Sequence, residues 1–180
     1  PLAKLLFDQQ AVSAEEEAAK YINENVKDAN DALQGARDII AEWVAENEQA
    51  RNIVRKLFTE EAMVSSRVLT SKKEEADAQK YRDYFEFKEP LSQSPSHRIL
   101  AIRRGEKEGF LIMDINIEKE RAVDELKRAF VKFSNSAAQQ VGIAIEDSFA
   151  RLLKPSIETE FRTASKTRAD EEAIRVFAEN

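Results

Sequence analysis

Apolar positions in this chain recur mostly at intervals of three and four, the spacing of one helical face. Leu2, Leu5 and Leu6 gather in a short apolar turn able to dock an N-terminal helix. Ser13 is a good cap for the next helix, and Glu15, Glu16 and Glu17 fall in its first turn, where the helix dipole favours negative charge. Consecutive helical residues point in different directions, so this run reads as dipole compensation rather than a metal site. From Asp28 or Asn30 onward, Ala29, Ala32, Leu33, Ala36, Ile40, Trp43 and Val44 form one stripe, which makes Trp43 a core anchor. Gly35 inside that stripe costs about 1 kcal/mol relative to alanine, and predicts close approach of a neighbouring helix. Residues 48–64 continue helically, with Ile53, Val54, Leu57 and Phe58 inward and Arg51, Arg55 and Lys56 on a solvated flank.

The pattern breaks at Ser65–Lys73, a loop or short extended piece. A helix is expected again from Glu74 through Tyr81, Tyr84 and Phe85, with the phrase EFKEPL ending it at Pro90. Ser94 can cap the following helix, Pro95 suits its first position, and Ile99, Leu100 and Ile102 begin its apolar side. Gly105 or Gly109 can end it. Phe110–Ile117 is apolar and partly alternating, the one convincing strand. A lone strand cannot satisfy its own backbone groups, so it needs a partner in this chain, in a second copy or in a further part of the protein. Beyond it, Val123, Leu126, Phe130 and Phe133 line an amphipathic helix, and Ser134-Asn135-Ser136 is a turn and cap. Val141, Ile145, Phe149 and Leu152 stripe another, and Pro155 kinks that helix or opens a new one. The last helical stretch carries Ala173, Ile174 and Phe177 on one side. The expected fold is mainly α: a multi-helical region with helix-turn-helix-like packing and one or two short strands. Residues 1–180 read as a single helical region, with a subdivision into 1–90 and 91–180.

Composition sharpens this in two respects. Four Gly and four Pro in 180 residues leave room for long helices, and 34% charged residues suit a surface-rich helical fold. The 13 basic and 19 acidic groups of residues 1–90 contrast with 15 of each in residues 91–180, so any anion-binding function belongs to the second half. A net charge of −6 argues against a broad nucleic-acid-binding surface. No cysteine is present, which excludes disulfides and thiolate metal sites. No apolar run reaches the roughly 20 residues a bilayer span needs, and PLAKLLFDQQ does not read as a signal peptide. The chain begins with Pro rather than Met and is read as a piece of a longer protein.

The chemistry-bearing residues do not make an enzyme. His97 is the sole histidine and has no serine-nucleophile motif around it. Gly105 and Gly109 lack the spacing and the following Lys-Ser/Thr of a phosphate loop, and no catalytic residue, metal ligand or cofactor is assigned. The candidates for nucleic-acid contact are His97, Arg98, Arg103, Arg104 and Lys107, on and after the first turn of the Pro-opened helix, where N–H groups attract anions. The competing structural account bonds His97 to a carbonyl or carboxylate and pairs Arg103 and Arg104 with acids such as Glu106 and Glu108. Tyr81, Tyr84, Phe85 and Phe87 lie beside Lys80, Arg82 and Lys88, a mixture that can stack bases. Their helical spacing makes an aromatic face against the core the simpler account.

Several phrases together resemble one family. DALQGARDIIAEWVAEN (31–47), KYRDYFEFKEPLSQSPSHRILAIRRGEKEGFL (80–111), ARLLKPSIETE (150–160) and RADEEAIRVFAEN (168–180) are similar, in order and spacing, to the bacterial Tex family of transcription accessory proteins. The resemblance covers essentially the whole chain. It implies a larger cytoplasmic protein with helix-turn-helix elements, an RNase H-like domain of the YqgF type, helix-hairpin-helix motifs and a C-terminal OB-type RNA-binding domain. It also implies kinship with a eukaryotic transcription elongation factor that handles histones. The present residues correspond to the helical region before the YqgF-type domain. The expected role is therefore a non-catalytic scaffold that positions nucleic-acid-binding domains. RNA or DNA would be bound mainly through parts absent here, and no membrane would be involved. A protein-interaction module docking the transcription machinery is the alternative.

Overall fold

The structure, a computed structural model, describes residues 1–179. Its contacts divide the chain into two compact units, each assembled from two stretches distant in sequence: Pro1–Arg55 with Glu118–Ser156, and Lys56–Ile117 with Ile157–Asn180. The charge asymmetry about residue 90 cuts across both. No described helix is long and apolar enough to cross a membrane.

The first unit is helical. It contains α1 (Leu2–Phe7), α2 (Ala14–Ala19), α3 (Ala29–Glu46), the start of α4 (Glu48–Glu61), α6 (Lys119–Phe130), α7 (Ser136–Ser148) and a wide π-helical turn (Phe149–Leu153) that leads into α8 (Lys154–Glu179). Side-chain caps start four of these helices. Ser13, Asp28, Asn47 and Asn135 accept from the backbone N–H groups of Glu16, Asp31, Ala50 and Ala138. Asn47 is the residue that splits the expected continuous helix into α3 and α4. The core is the packing of α3 on α7, where Leu33, Ala36, Ile40 and Val44 meet helices that bury Val141, Ile145 and Phe149. Trp43 is displaced from this core. It is 39% exposed and makes an edge contact with Phe7, ring centroids 5.7 Å apart. The narrow stripe of small residues on α3 is filled without it.

Gln9 supplies the first unit's polar lock. It is buried, with a positive φ of 55°, and its amide clamps the extended segment after α6. Nε2 donates to the Phe130 carbonyl at 2.5 Å, Oε1 accepts from the N–H groups of Lys132 and Phe133, and the Asn135 amide donates back to the Gln9 carbonyl. This segment ends α6 at Phe130, so Phe133, expected on the apolar stripe, lies beyond the helix and is 60% exposed. At the π turn, Lys154 N–H reaches back five residues to the Phe149 carbonyl. Pro155 has no N–H to offer and would crowd a regular turn, and the wide turn accommodates it. The extra residue also shifts the stripe, so Leu153 is fully buried where Leu152 was expected.

The second unit holds an antiparallel sheet of β1 (Met63–Val68), β2 (Glu86–Pro90) and β3 (Leu111–Asn116) in the order β2-β1-β3. Ser66 pairs with Phe87 on one side and Met113 on the other. The strand expected at 110–117 thus finds its partner within the chain. The sheet has three strands rather than one or two, within a fold that is mainly α. β1 occupies part of the expected loop, and β2 occupies the expected helix end. Residues Ala76–Tyr84 form 3₁₀ turns instead of the α-helix expected there. Strand β3 alternates strictly, with Leu111, Met113 and Ile115 buried. In β1 the buried Ser66 donates its hydroxyl to the Tyr84 carbonyl at 2.7 Å, so its polarity is satisfied inside the unit.

Helix α5 (Ser96–Lys107) packs on β3. Its end is a complete Schellman motif: Gly109, at φ 86°, donates to the Glu106 carbonyl, and Phe110 donates to that of Gly105. Ser94, expected to cap the start, instead donates to the Glu89 carboxylate. The close approach expected at Gly35 is absent, since a Cβ there meets nothing within 4 Å. It occurs at Gly105, where a Cβ would lie 2.5 Å from Leu111 Cδ1 and 2.8 Å from its Cγ. The two glycines should therefore respond in opposite senses to alanine. In urea unfolding, Gly35→Ala should gain up to about 1 kcal/mol from helix propensity. Gly105→Ala should lose about 1 kcal/mol or more, because overpacking outweighs the same propensity gain.

Candidate nucleic-acid interface

The five residues proposed from the sequence all lie on α5, and the helix distributes them among different neighbours. His97 is exposed, and no described residue bonds its ring. Arg98, one position on, turns to the sheet, and its guanidinium meets the Glu89 carboxylate of β2 at 2.6 Å. Arg103, Arg104 and Lys107 lie further along the helix. They line one open groove of about 720 Å³, whose other wall comes from α8 through Lys166 and Asp170. Lys166 is the functional candidate that sequence reasoning missed. It lies 59 residues beyond Lys107 in the chain, and only the packing of α8 brings it to this groove.

Behind the groove, one arginine ties three elements together. Arg162 of α8 donates through Nη1 to the Met113 carbonyl at 2.7 Å, and through Nη2 to both carboxylate oxygens of Glu106 at 2.6 and 2.7 Å. Glu106 in turn accepts, more distantly, from the Met113 N–H at 3.4 Å. Strand β3 is an edge of the sheet, and its Met113 amide would otherwise present unpaired groups. The Glu106–Arg162 pair closes that edge.

At the end of α5, Glu108 accepts from the Tyr81 hydroxyl at 2.6 Å and pairs with Lys80 at 3.1 Å. Burial, followed by the Glu108 carboxylate, pushes the Tyr81 phenol up to about 12. It therefore stays protonated and donates at neutral pH. The same hydrogen bond, with Lys80 behind it, holds the Glu108 carboxyl below its ordinary range. Tyr81 also packs on Phe110 at a centroid distance of 6.0 Å, and Tyr84 meets Phe87 edge-on at 5.4 Å. Of the four aromatics, Tyr81 is buried while Tyr84, Phe85 and Phe87 are half-buried, and they lie on 3₁₀ turns and a strand rather than on the one helical face expected. Among the described residues, no three His, Cys, Asp or Glu side chains gather as a metal site.

The fold and this site define a helical region with a small antiparallel sheet and a basic groove beside its edge. Residues 9–177 match the family described as Tex central region-like. The chain is 33% identical over its whole length to the transcriptional accessory protein Tex of Neisseria gonorrhoeae, covering 24% of it. It is 34% identical to protein YhgF of Escherichia coli, covering 25%. The human S1 RNA-binding domain-containing protein 1 is 26% identical over 89% of the chain, which spans 18% of it. The chain belongs to the Tex central-region family, and it spans about a quarter of the length of the bacterial relatives it matches.

The Arg162 contacts are testable by a double-mutant cycle. Arg162→Met should cost about 1.5–3 kcal/mol in urea unfolding, the range for hydrogen bonds to charged groups. The lower end is expected, because the two side chains are 21% and 29% exposed. In the Glu106→Gln background the cost should shrink, giving a positive coupling energy.

Proposed function

We propose that this region is a non-catalytic scaffold of a Tex-like transcription accessory protein. It positions nucleic-acid-binding domains of the longer protein and adds weak phosphate contacts from the α5 face. The observation that carries this reading is the gathering of Arg103, Arg104 and Lys107 on one groove within a chain of this family. His97 and Arg98 extend the contact along the helix in this reading, with Arg98 contributing once it leaves Glu89. A relative named for an S1 RNA-binding domain supports RNA as a ligand of the longer protein. In this reading that module belongs to a further part of the longer protein, of which this chain spans about a quarter. Binding by the isolated chain should be weak and driven by charge, with Kd on the order of 10⁻⁴–10⁻⁶ M at physiological salt. Fluorescence anisotropy with labelled RNA and DNA across a salt series, beside the full-length protein, tests this. Tight binding that barely changes with salt would defeat it.

A second reading, a protein-docking module, is favoured by one surface of the first unit. Phe133 and Ile143, 60% and 48% exposed, border a groove of about 590 Å³ beside the Lys127–Glu146 pair. If it prevails, the chain should retain a transcription-machinery protein after nuclease treatment, and Phe133→Asp should abolish that capture.

A further inference from the structure

The groove between α5 and α8 sets four cations, Arg103, Arg104, Lys107 and Lys166, against three carboxylates, Glu106, Glu108 and Asp170. Two of those carboxylates are neutralised by cations that are not part of the groove lining. Glu106 is held bidentately by Arg162 at 2.6 and 2.7 Å, while its distance to Arg103 is 3.7 Å. Glu108 is held by Lys80 and by the Tyr81 hydroxyl. Arg104 and Lys107 form no ion pair or hydrogen bond with the described residues, and both are exposed. Of the lining cations, Lys166 is held most closely, by Asp170 at 2.6 Å across one turn of α8, while Arg103 stands at 3.7 Å from Glu106.

We infer that this groove is a binding site for the phosphodiester backbone of a nucleic-acid strand, with Arg103, Arg104 and Lys107 contacting phosphates and Lys166 joining them from α8 when Asp170 releases it. The inference deepens the scaffold reading and rests on it. Arginine and lysine side chains at this spacing suit phosphate oxygens. The single apolar lining residue, Leu100, offers no aromatic face for stacking a base. Recognition is therefore of the backbone and indifferent to sequence. Asp170 acts as an internal competitor: a phosphate entering the groove must replace it at Lys166.

The test measures anisotropy of fluorescein-labelled single-stranded 20-mers, a uridine homopolymer and a thymidine homopolymer, with the whole chain at low salt. Wild type should bind both, with a log–log salt slope of about −2, as three phosphate contacts on a single strand require. Arg104→Glu with Lys107→Glu and Lys166→Glu should weaken binding about tenfold or more. A control of equal charge change, Lys4→Glu with Lys20→Glu and Lys73→Glu, should retain most of it. Asp170→Asn should tighten binding by about threefold. Equal loss in the groove variant and the control would overturn the groove and leave only nonspecific attraction. Loss on His97→Ala with Arg98→Ala, but none on the groove variant, would overturn the groove while keeping α5 as the contact face. Absence of wild-type binding to either strand would overturn both readings. Circular dichroism of each variant identifies any that fails to fold. For those, Arg104→Gln with Lys107→Gln replaces the reversal and should still weaken binding severalfold.

Discussion

The second unit depends on how an edge strand is closed. Strand β3 gives one side to β1 and leaves the other without a strand, a geometry that normally leaves backbone groups unmet. A guanidinium is one of the few side chains able to satisfy a carbonyl and a carboxylate at once with directed donors. Arg162 does this, and the carboxylate it reaches belongs to the helix packed on the same strand. One planar group thus fixes α5, β3 and α8 together. The arrangement also absorbs the negative charge that α5 carries nearest the sheet. On the outward side of that helix, Arg104 and Lys107 form no ion pair or hydrogen bond with the described residues.

The periodic parts of the fold were legible because periodicity is a local property. Ile40, Val44, Val54, Leu126, Val141 and Ile145 were all placed inward by spacing, and all are buried. The strand at 110–117 was legible for the same reason. β1 was not, because MVSSRV carries two serines in the middle, and only its neighbours show that Ser66 is buried and bonded. β2 was hidden by charge, since an edge strand with Glu86, Lys88 and Glu89 reads like a solvated helix end. Gly35 and Gly105 show the limit most plainly. Both sit inside helices, and nothing local tells which one a neighbour presses against. Leu153 replaced Leu152 because a π turn inserts a residue that no helical template counts.

The candidate interface was legible in half. Its α5 cations form a contiguous phrase, but whether a cation is available depends on which acids face it. Arg98 and Arg103 stand five residues apart on one helix, yet Arg98 is turned to a strand 9 residues earlier. Arg162 could not be assigned from its own surroundings, because its partners Met113 and Glu106 lie 49 and 56 residues away, and nothing local to Lys166 tells that it faces the α5 cations. Family membership identifies the region. The distribution of counter-charges within it decides which side chains remain free to meet a ligand.

The interleaving of the two units bears on how the chain matures during synthesis. The three strands and α5 are translated well before Arg162, so a growing chain carries an open sheet edge until the first half of α8 has left the ribosome. In the first unit, Gln9 waits more than 120 residues for the segment it clamps. Closure of each unit is thus a long-range event that cannot precede translation of its distant half, a topology that slows folding. The charged residues of β2 protect one edge of the nascent sheet during that interval, and the other edge is the exposure that chaperones would be expected to meet.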